Sequence, residues 1–181
     1  MKLKKIVDLL VNQFQCKENK MNEFEKKVYD HMKLREGYKN EVYLDTLDKP
    51  TCGIGHLLTA AEREDYSVGT EVDDYKIKEW YMEDITTAME AADKQASILS
   101  TDNESVKIAL VSVNYQLGTS WTRKFPTAWK CLCHQEYDRA IDEIMYADKK
   151  TDRHSRWYKQ TPVRVKDFVK AINKLKEIHN G

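Results

Sequence analysis

Three residues in the N-terminal third of the chain could do chemistry together. Glu36, Asp45 and Thr51 are spaced E-x8-D-x5-T. They surround a segment, Glu41 to Gly55, that reads as a small β-hairpin: Val42-Tyr43-Leu44 is β-prone, Thr46–Pro50 is a turn, and Thr51–Gly55 returns. Two carboxyl groups facing one cleft are the minimum for breaking an acetal C–O bond. One must be protonated to deliver a proton to the leaving oxygen, and the other ionised. Glu36 is expected at the last turn of a helix, capped by Gly37, where the negative end of the helix dipole favours the protonated acid. Asp45 is expected at the hairpin, kept ionised by turn amides and solvent. A Thr51 hydroxyl beside Asp45 could help hold a water for attack from the opposite face, which is the arrangement of an inverting enzyme. Each residue alone has an ordinary explanation, since a helix-end Glu is usually solvated and a hairpin Asp usually forms the turn.

Several elements must position these groups. A helix is predicted from about Asn22, with Phe24, Val28 and Met32 on one stripe. After the hairpin, Thr59 is read as starting a short helix, and a long helix as running from Val72 to about Leu99. Residues 104–117 form an apolar helix ending at Gly118, and two more are predicted at Thr127–His134 and Gln135–Met145. The segment Tyr146–His154 reads as a loop. Thr161-Pro162 reads as an N-cap followed by proline in the first turn of a final helix, whose apolar face is Val165, Phe168, Val169, Ile172, Leu175 and Ile178. The fold class is α+β and mostly helical: a small β lobe, a long connecting helix and a helical C-terminal lobe, with a polymer site expected in the cleft between the lobes.

Together with Gly53-Ile54-Gly55-His56-Leu57-Leu58-Thr59, these residues closely resemble the phage T4-type lysozymes, the endolysin family of muramidases. A second matching block is Ser155-Arg156-Trp157-Tyr158-x-Gln160-Thr161-Pro162-x-Arg164, and a weaker one is Ala109-Leu110 with Gln116-x-Gly118. The resemblance runs from about residue 21 to the C-terminus. It implies a lysozyme-like two-lobed domain over 21–181, with the β lobe at about 37–70 and the helical lobe at about 71–181. It also implies Glu36 as general acid, with Asp45 and Thr51 managing the water, and the β-1,4 bond between N-acetylmuramic acid and N-acetylglucosamine of peptidoglycan as substrate. No metal or cofactor is implied. Leu57 and Tyr115 fall where the family lines its sugar cleft, and Arg164 where an arginine pairs with the catalytic acid. His56 is expected to be an oriented structural imidazole. Its family partner precedes the catalytic Glu; Arg35 stands there, so that pair should be missing. Trp157 is expected to pack rather than to carry sugar. Asp48 replaces a turn glycine and is expected in the left-handed conformation it can adopt. Two further family cleft positions fall on Ala128 and Glu143.

Bulk properties set the remaining bounds. The 181 residues suffice for one two-lobed domain, with Lys+Arg and Asp+Glu balanced at 30 each. The middle, residues 36–133, is acidic and the two ends are basic. That acidic middle argues against a nucleic-acid binder, which Arg153, Arg156, Trp157, Lys159 and Arg164 would otherwise suggest. Cys16, Cys52, Cys131 and Cys133 read as reduced thiols, in preference to a Cys131/Cys133/His134 metal site. Residues 1–20 read as an amphipathic extension, with Leu3, Ile6, Val7, Leu10 and Phe14 at helical spacing and no cleavable signal. Packing on the domain is its first expected role, and an unknown partner the second. The chain is expected to be a monomer without stable membrane insertion, held in the host cytoplasm before release to the wall. A virion-associated lysozyme used during infection is the alternative setting; a non-catalytic wall-binding adaptor is the alternative class, and retention of Glu36, Asp45 and Thr51 argues against it.

Overall fold

The computed structural model describes residues 21–181; the N-terminal extension and Cys16 lie outside them. Helix α1 spans Glu23–Glu36. Asn22 and Glu25 cap its start reciprocally, each side chain accepting from the other's backbone N–H. Gly37, at φ 83°, ends it and returns its N–H to the Lys33 carbonyl. A three-stranded antiparallel sheet follows: β1 (Lys39–Leu44), β2 (Pro50–Gly53) and β3 (His56–Leu57). The third strand goes beyond the expected hairpin. At two residues it is too short to show an alternating pattern in the sequence.

Beyond the sheet lie α2 (Glu62–Asp65), α3 (Asp74–Ile98), α4 (Glu104–Leu117), α5 (Trp121–Lys124), α6 (Pro126–Cys133) and α7 (Tyr137–Met145). A second antiparallel pair, β4 (Tyr146–Asp148) and β5 (Arg153–His154), precedes α8 (Arg156–Gln160) and α9 (Pro162–Asn180). The pair corrects the expected loop at 146–154. Asp152 takes a left-handed φ of 52° at its turn, and the His154 ring is stacked between Tyr146 and Tyr158, at 5.0 and 4.2 Å. Thr59 sits three residues ahead of α2 rather than within it, and exchanges hydrogen bonds with Glu62. Thr161 also stands where expected without capping α9: its hydroxyl donates to the Trp157 carbonyl and accepts from Gln116.

Two cores account for the site's placement. The larger unites α1, α4, α6, α7, α9 and the C-terminal part of α3, and includes Met32, Ile85, Leu110, Trp121, Phe168 and Ile172. Helix α4 is buried nearly all round, as a central helix must be. Within it Gln95 and Asn114 bond each other at 3.0 and 2.8 Å, and the Trp121 indole donates to Gln95. The smaller core joins Val42, Cys52, Leu58 and Val72 to Ile77 and Trp80 at the start of α3. Helix α3 therefore serves both cores. Gly53, at φ 64°, lies where any Cβ would come within 2.7 Å of Ile77, so only glycine lets β2 approach α3 this closely. On α9 the expected face is buried, except that Val169 is half-buried and Ile178 remains exposed.

Candidate active site

Glu36 is the last residue of α1. Its side chain is 26% exposed and forms an ion pair with the buried Arg164 of α9. Arg35, one residue back, turns away to Asp167, with Nε 2.6 Å from its carboxylate. Besides Arg164, two tyrosines feel the Glu36 charge. Burial first, then Asp45, Cys52 and Glu36, raises the Tyr43 phenol above its ordinary value. Burial, with Asp84 and Glu36 adding to it, also raises the Tyr115 phenol. Tyr43 thus senses both candidate catalytic carboxylates at once. The Tyr115 hydroxyl donates to the Ile54 carbonyl at 3.1 Å, linking α4 to the turn between β2 and β3. Tyr115→Phe should lower stability by about 1 kcal/mol, read as a shift in urea midpoint, because it removes this one neutral hydrogen bond.

Asp45 follows β1 directly. Its Oδ1 accepts the backbone N–H groups of Leu47 and Lys49, at 2.7 and 2.9 Å, and Asp48 completes the turn at φ 58° as expected. The Lys49 amide above all, then the Leu47 amide and the Lys49 charge, hold the carboxyl below its usual range against a desolvation cost. Both amide bonds fall on Oδ1, which leaves Oδ2 for another partner. Thr51 is buried in β2 and pairs in register with Tyr43 on one side and Leu57 on the other. Tyr43, Thr51 and Leu57 therefore form a row on one sheet face, while Val42 and Cys52 point to the core on the other. The Thr51 hydroxyl donates to the Lys49 carbonyl at 3.0 Å, so toward anything else its oxygen can only accept. Leu57, at the row's far end, is exposed.

His56 lacks the partner at position 35, as expected, and is held by two other acids. Nδ1 lies 2.9 Å from Asp84 on α3, Nε2 lies 3.2 Å from Glu62 on α2, and the ring stacks on Trp80 at 4.7 Å. Burial opposes its charge, but Asp84 and then Glu62 outweigh it, and its pKa is raised. A raised folded-state pKa contributes stability that is fully present below the unfolded value of about 6.5 and is lost as pH rises through the folded value. Melting temperature should therefore fall as pH rises above about 6.5, and His56→Gln should flatten that slope.

Trp157 packs as expected, buried with its indole N–H on Gln116 at 3.0 Å. Ala128 and Glu143 line one small pocket of about 120 Å³ beside Lys124 and Phe125. Cys131 is buried and Cys133 exposed, so the two thiols point apart, and among the described residues no cluster of three or more His, Cys, Asp or Glu is arranged to hold a metal. Two residues around the site, Asp84 and Glu62, were not singled out from sequence. Tyr43 belongs to the matched segment, two residues before Asp45 and near the end of β1. Asp84 and Glu62 carry no such signal, because both are ordinary surface-type acids until the fold brings them to His56.

The fold thus ends α1 on Glu36 and sets Asp45 and Thr51 on the sheet that follows it, in the order of the lysozyme-like segment of the sequence. Residues 33–159 match the phage lysozyme family, and the chain belongs to it. It is 27% identical over 137 residues to the peptidoglycan hydrolase gp36 of Pseudomonas phage phiKMV, covering 76% of this chain but 14% of that protein. To the probable T4-type lysozyme 2 of Dictyostelium discoideum it is 27% identical over 155 residues, covering 75% of this chain and 86% of the relative. It is also 30% identical over 157 residues to the pre-baseplate central spike protein Gp5 of Enterobacteria phage T4, covering 76% of this chain and 26% of the spike. The chain thus spans only a small part of two of these relatives.

Proposed function

We propose that the chain is a muramidase that cleaves the β-1,4 bond between N-acetylmuramic acid and N-acetylglucosamine in peptidoglycan, with inversion. Glu36 gives its proton to the leaving oxygen. A water on the opposite face of the sugar donates one hydrogen to the free Oδ2 of Asp45 and the other to the Thr51 oxygen, so its lone pair is aimed at the anomeric carbon. Asp45 then takes the proton as the C–O bond breaks. The observation that carries this reading is the division of labour at the hairpin. Backbone amides occupy Oδ1 of Asp45, and the Lys49 carbonyl takes the only proton of Thr51, which leaves Asp45 Oδ2 and the Thr51 oxygen as acceptors for a water. Leu57 and Tyr115 border the sugar path, and Arg164 and His56 support it. No metal or cofactor takes part.

The family membership and the relative named a peptidoglycan hydrolase support the substrate. A nucleic-acid role is disfavoured, because Trp157 is buried and Arg164 is paired with Glu36. Among the described residues no helix is long and apolar enough to cross a membrane. The proposed setting is lysis of a phage host: a monomer held in the cytoplasm and released to the wall, with a partner-binding role for residues 1–20. Likeness to a spike protein favours a second setting, a wall-opening module carried on the virion. Mass spectrometry of purified virions separates the two. The chemistry is tested by the first product formed from purified glycan strands. Reducing-end N-acetylmuramic acid of the α anomer is expected; an initial β anomer would overturn inversion, and reducing-end N-acetylglucosamine would overturn the bond.

A further inference from the structure

On another face of α1 lies a cavity that this reaction does not use. His31 and Arg35 reach it from α1, Ser105 from the start of α4, and Asp167, Lys170 and Lys174 from successive turns of α9. Its volume is about 430 Å³, a size usual for a small-molecule site. It is separate from the catalytic carboxyl: adjacent helix residues point about 100° apart, and Glu36 goes to Arg164 while Arg35 goes to Asp167.

The lining is chemically one-sided. Three cations meet one carboxylate. Arg35 engages Asp167 through Nε, leaving its terminal nitrogens available, and Lys174 is shared with Glu177 at 2.9 Å. Lys170 forms no ion pair among the described residues. His31 Nε2 is buried and has no hydrogen-bond partner among the described residues. Folded proteins rarely keep a buried polar atom unpaired without a water or ligand to satisfy it. An imidazole beside Arg35, in a cavity that Lys170 and Lys174 also line, is well satisfied by an oxyanion, which accepts a hydrogen bond from the ring's protonated nitrogen and neutralises the cations in one step.

The geometry points to a second binding site, in which this three-helix pocket takes a phosphate-class oxyanion on His31 Nε2 with Arg35 and Lys170 around it. The cavity exceeds a bare phosphate, so the natural ligand is a phosphate ester of a sugar or polyol, either free in solution or repeated along a wall polymer. Burial, opposed by Asp167 and assisted by Arg35 and Arg164, lowers the pKa of the empty His31. A bound anion reverses that balance, which gives a direct readout.

The experiment follows the His31 imidazole resonances by NMR in the full chain during titration with sodium phosphate, against sodium chloride at matched ionic strength. A saturable His31 shift with phosphate, accompanied by a rise in the His31 pKa, is expected. Lys170→Gln, an exposed substitution, should weaken the affinity about ten-fold, as loss of one charge-assisted contact does. Glu36→Gln should leave it unchanged, so this site and the proposed catalysis fail independently. No saturable shift, an equal response to chloride, or full affinity in Lys170→Gln overturns the site. Parallel titrations with glycerol phosphate and with poly(glycerol phosphate) assign the source: preference for the polymer supports a wall ligand, and preference for the monomer a soluble one.

Discussion

Glu36→Gln should reduce lysis of outer-membrane-permeabilised Gram-negative cells by at least about 100-fold, the lower range for removal of a positioned general acid. The amide matches the carboxyl in shape but has no proton to give, so the leaving sugar must depart as a far poorer leaving group. The substitution is also a fair test of chemistry, because it keeps an acceptor oxygen for Arg164. That matters: Arg164 is 8% exposed, and its Nη1 already has no hydrogen-bond partner among the described residues. Glu36→Ala would leave the guanidinium with no acceptor at all and would confound catalysis with stability. Far-UV circular dichroism and the urea midpoint of Glu36→Gln should therefore stay close to wild type while turnover collapses. Lysis at the wild-type rate would refute the assignment of Glu36 as the acid.

The second large effect is on stability. Trp80→Ala should cost about 3–5 kcal/mol, the usual range for truncating a buried tryptophan, out of a total of about 5–15 kcal/mol for a typical domain. Trp80 is 1% exposed and is the largest side chain of the smaller core. One side of its ring carries the stacked His56, Tyr66 meets it edge-on at 5.2 Å, and the Lys76 amino group lies 5.4 Å from its centroid. Truncation would open a cavity under the sheet that holds Asp45 and Thr51, and would release the imidazole that ties β3 to α2 and α3. The larger core shares none of these contacts. The expected outcome is a urea midpoint moved far down, new proteolytic sensitivity within residues 39–72, and lost activity, with much of the helical signal retained. An unchanged midpoint would show that the sheet does not depend on this core.

How much of this was legible depended on the range of the interactions. The capped start of α1, its glycine stop, the long α3 and the apolar α4 were readable because each is written in neighbouring residues: Asn22 with Glu25, Gly37 after Glu36, and apolar stripes at helical spacing. The turn holding Asp45 was readable for the same reason, since its amides lie two and four residues away. The β4–β5 pair was not, because strands of three and two residues carry no periodicity and stacking of His154 with Tyr146 and Tyr158 holds them.

The site divides along the same line. The sequence by itself determined the candidate set, Glu36, Asp45 and Thr51, and the local geometry that favours the ionised form of one acid and ends a helix on the other, because those effects act within a few residues. Only the tertiary structure decided what surrounds them: that His56 is held by Asp84 and Glu62, that Arg35 crosses to Asp167, that Tyr115 is tied to Ile54, and that the His31 Nε2 is buried with no partner among the described residues. Those contacts join residues from separate elements, most of them far apart in the chain. Charge and burial at such points follow from how the two cores pack, which no local spacing encodes.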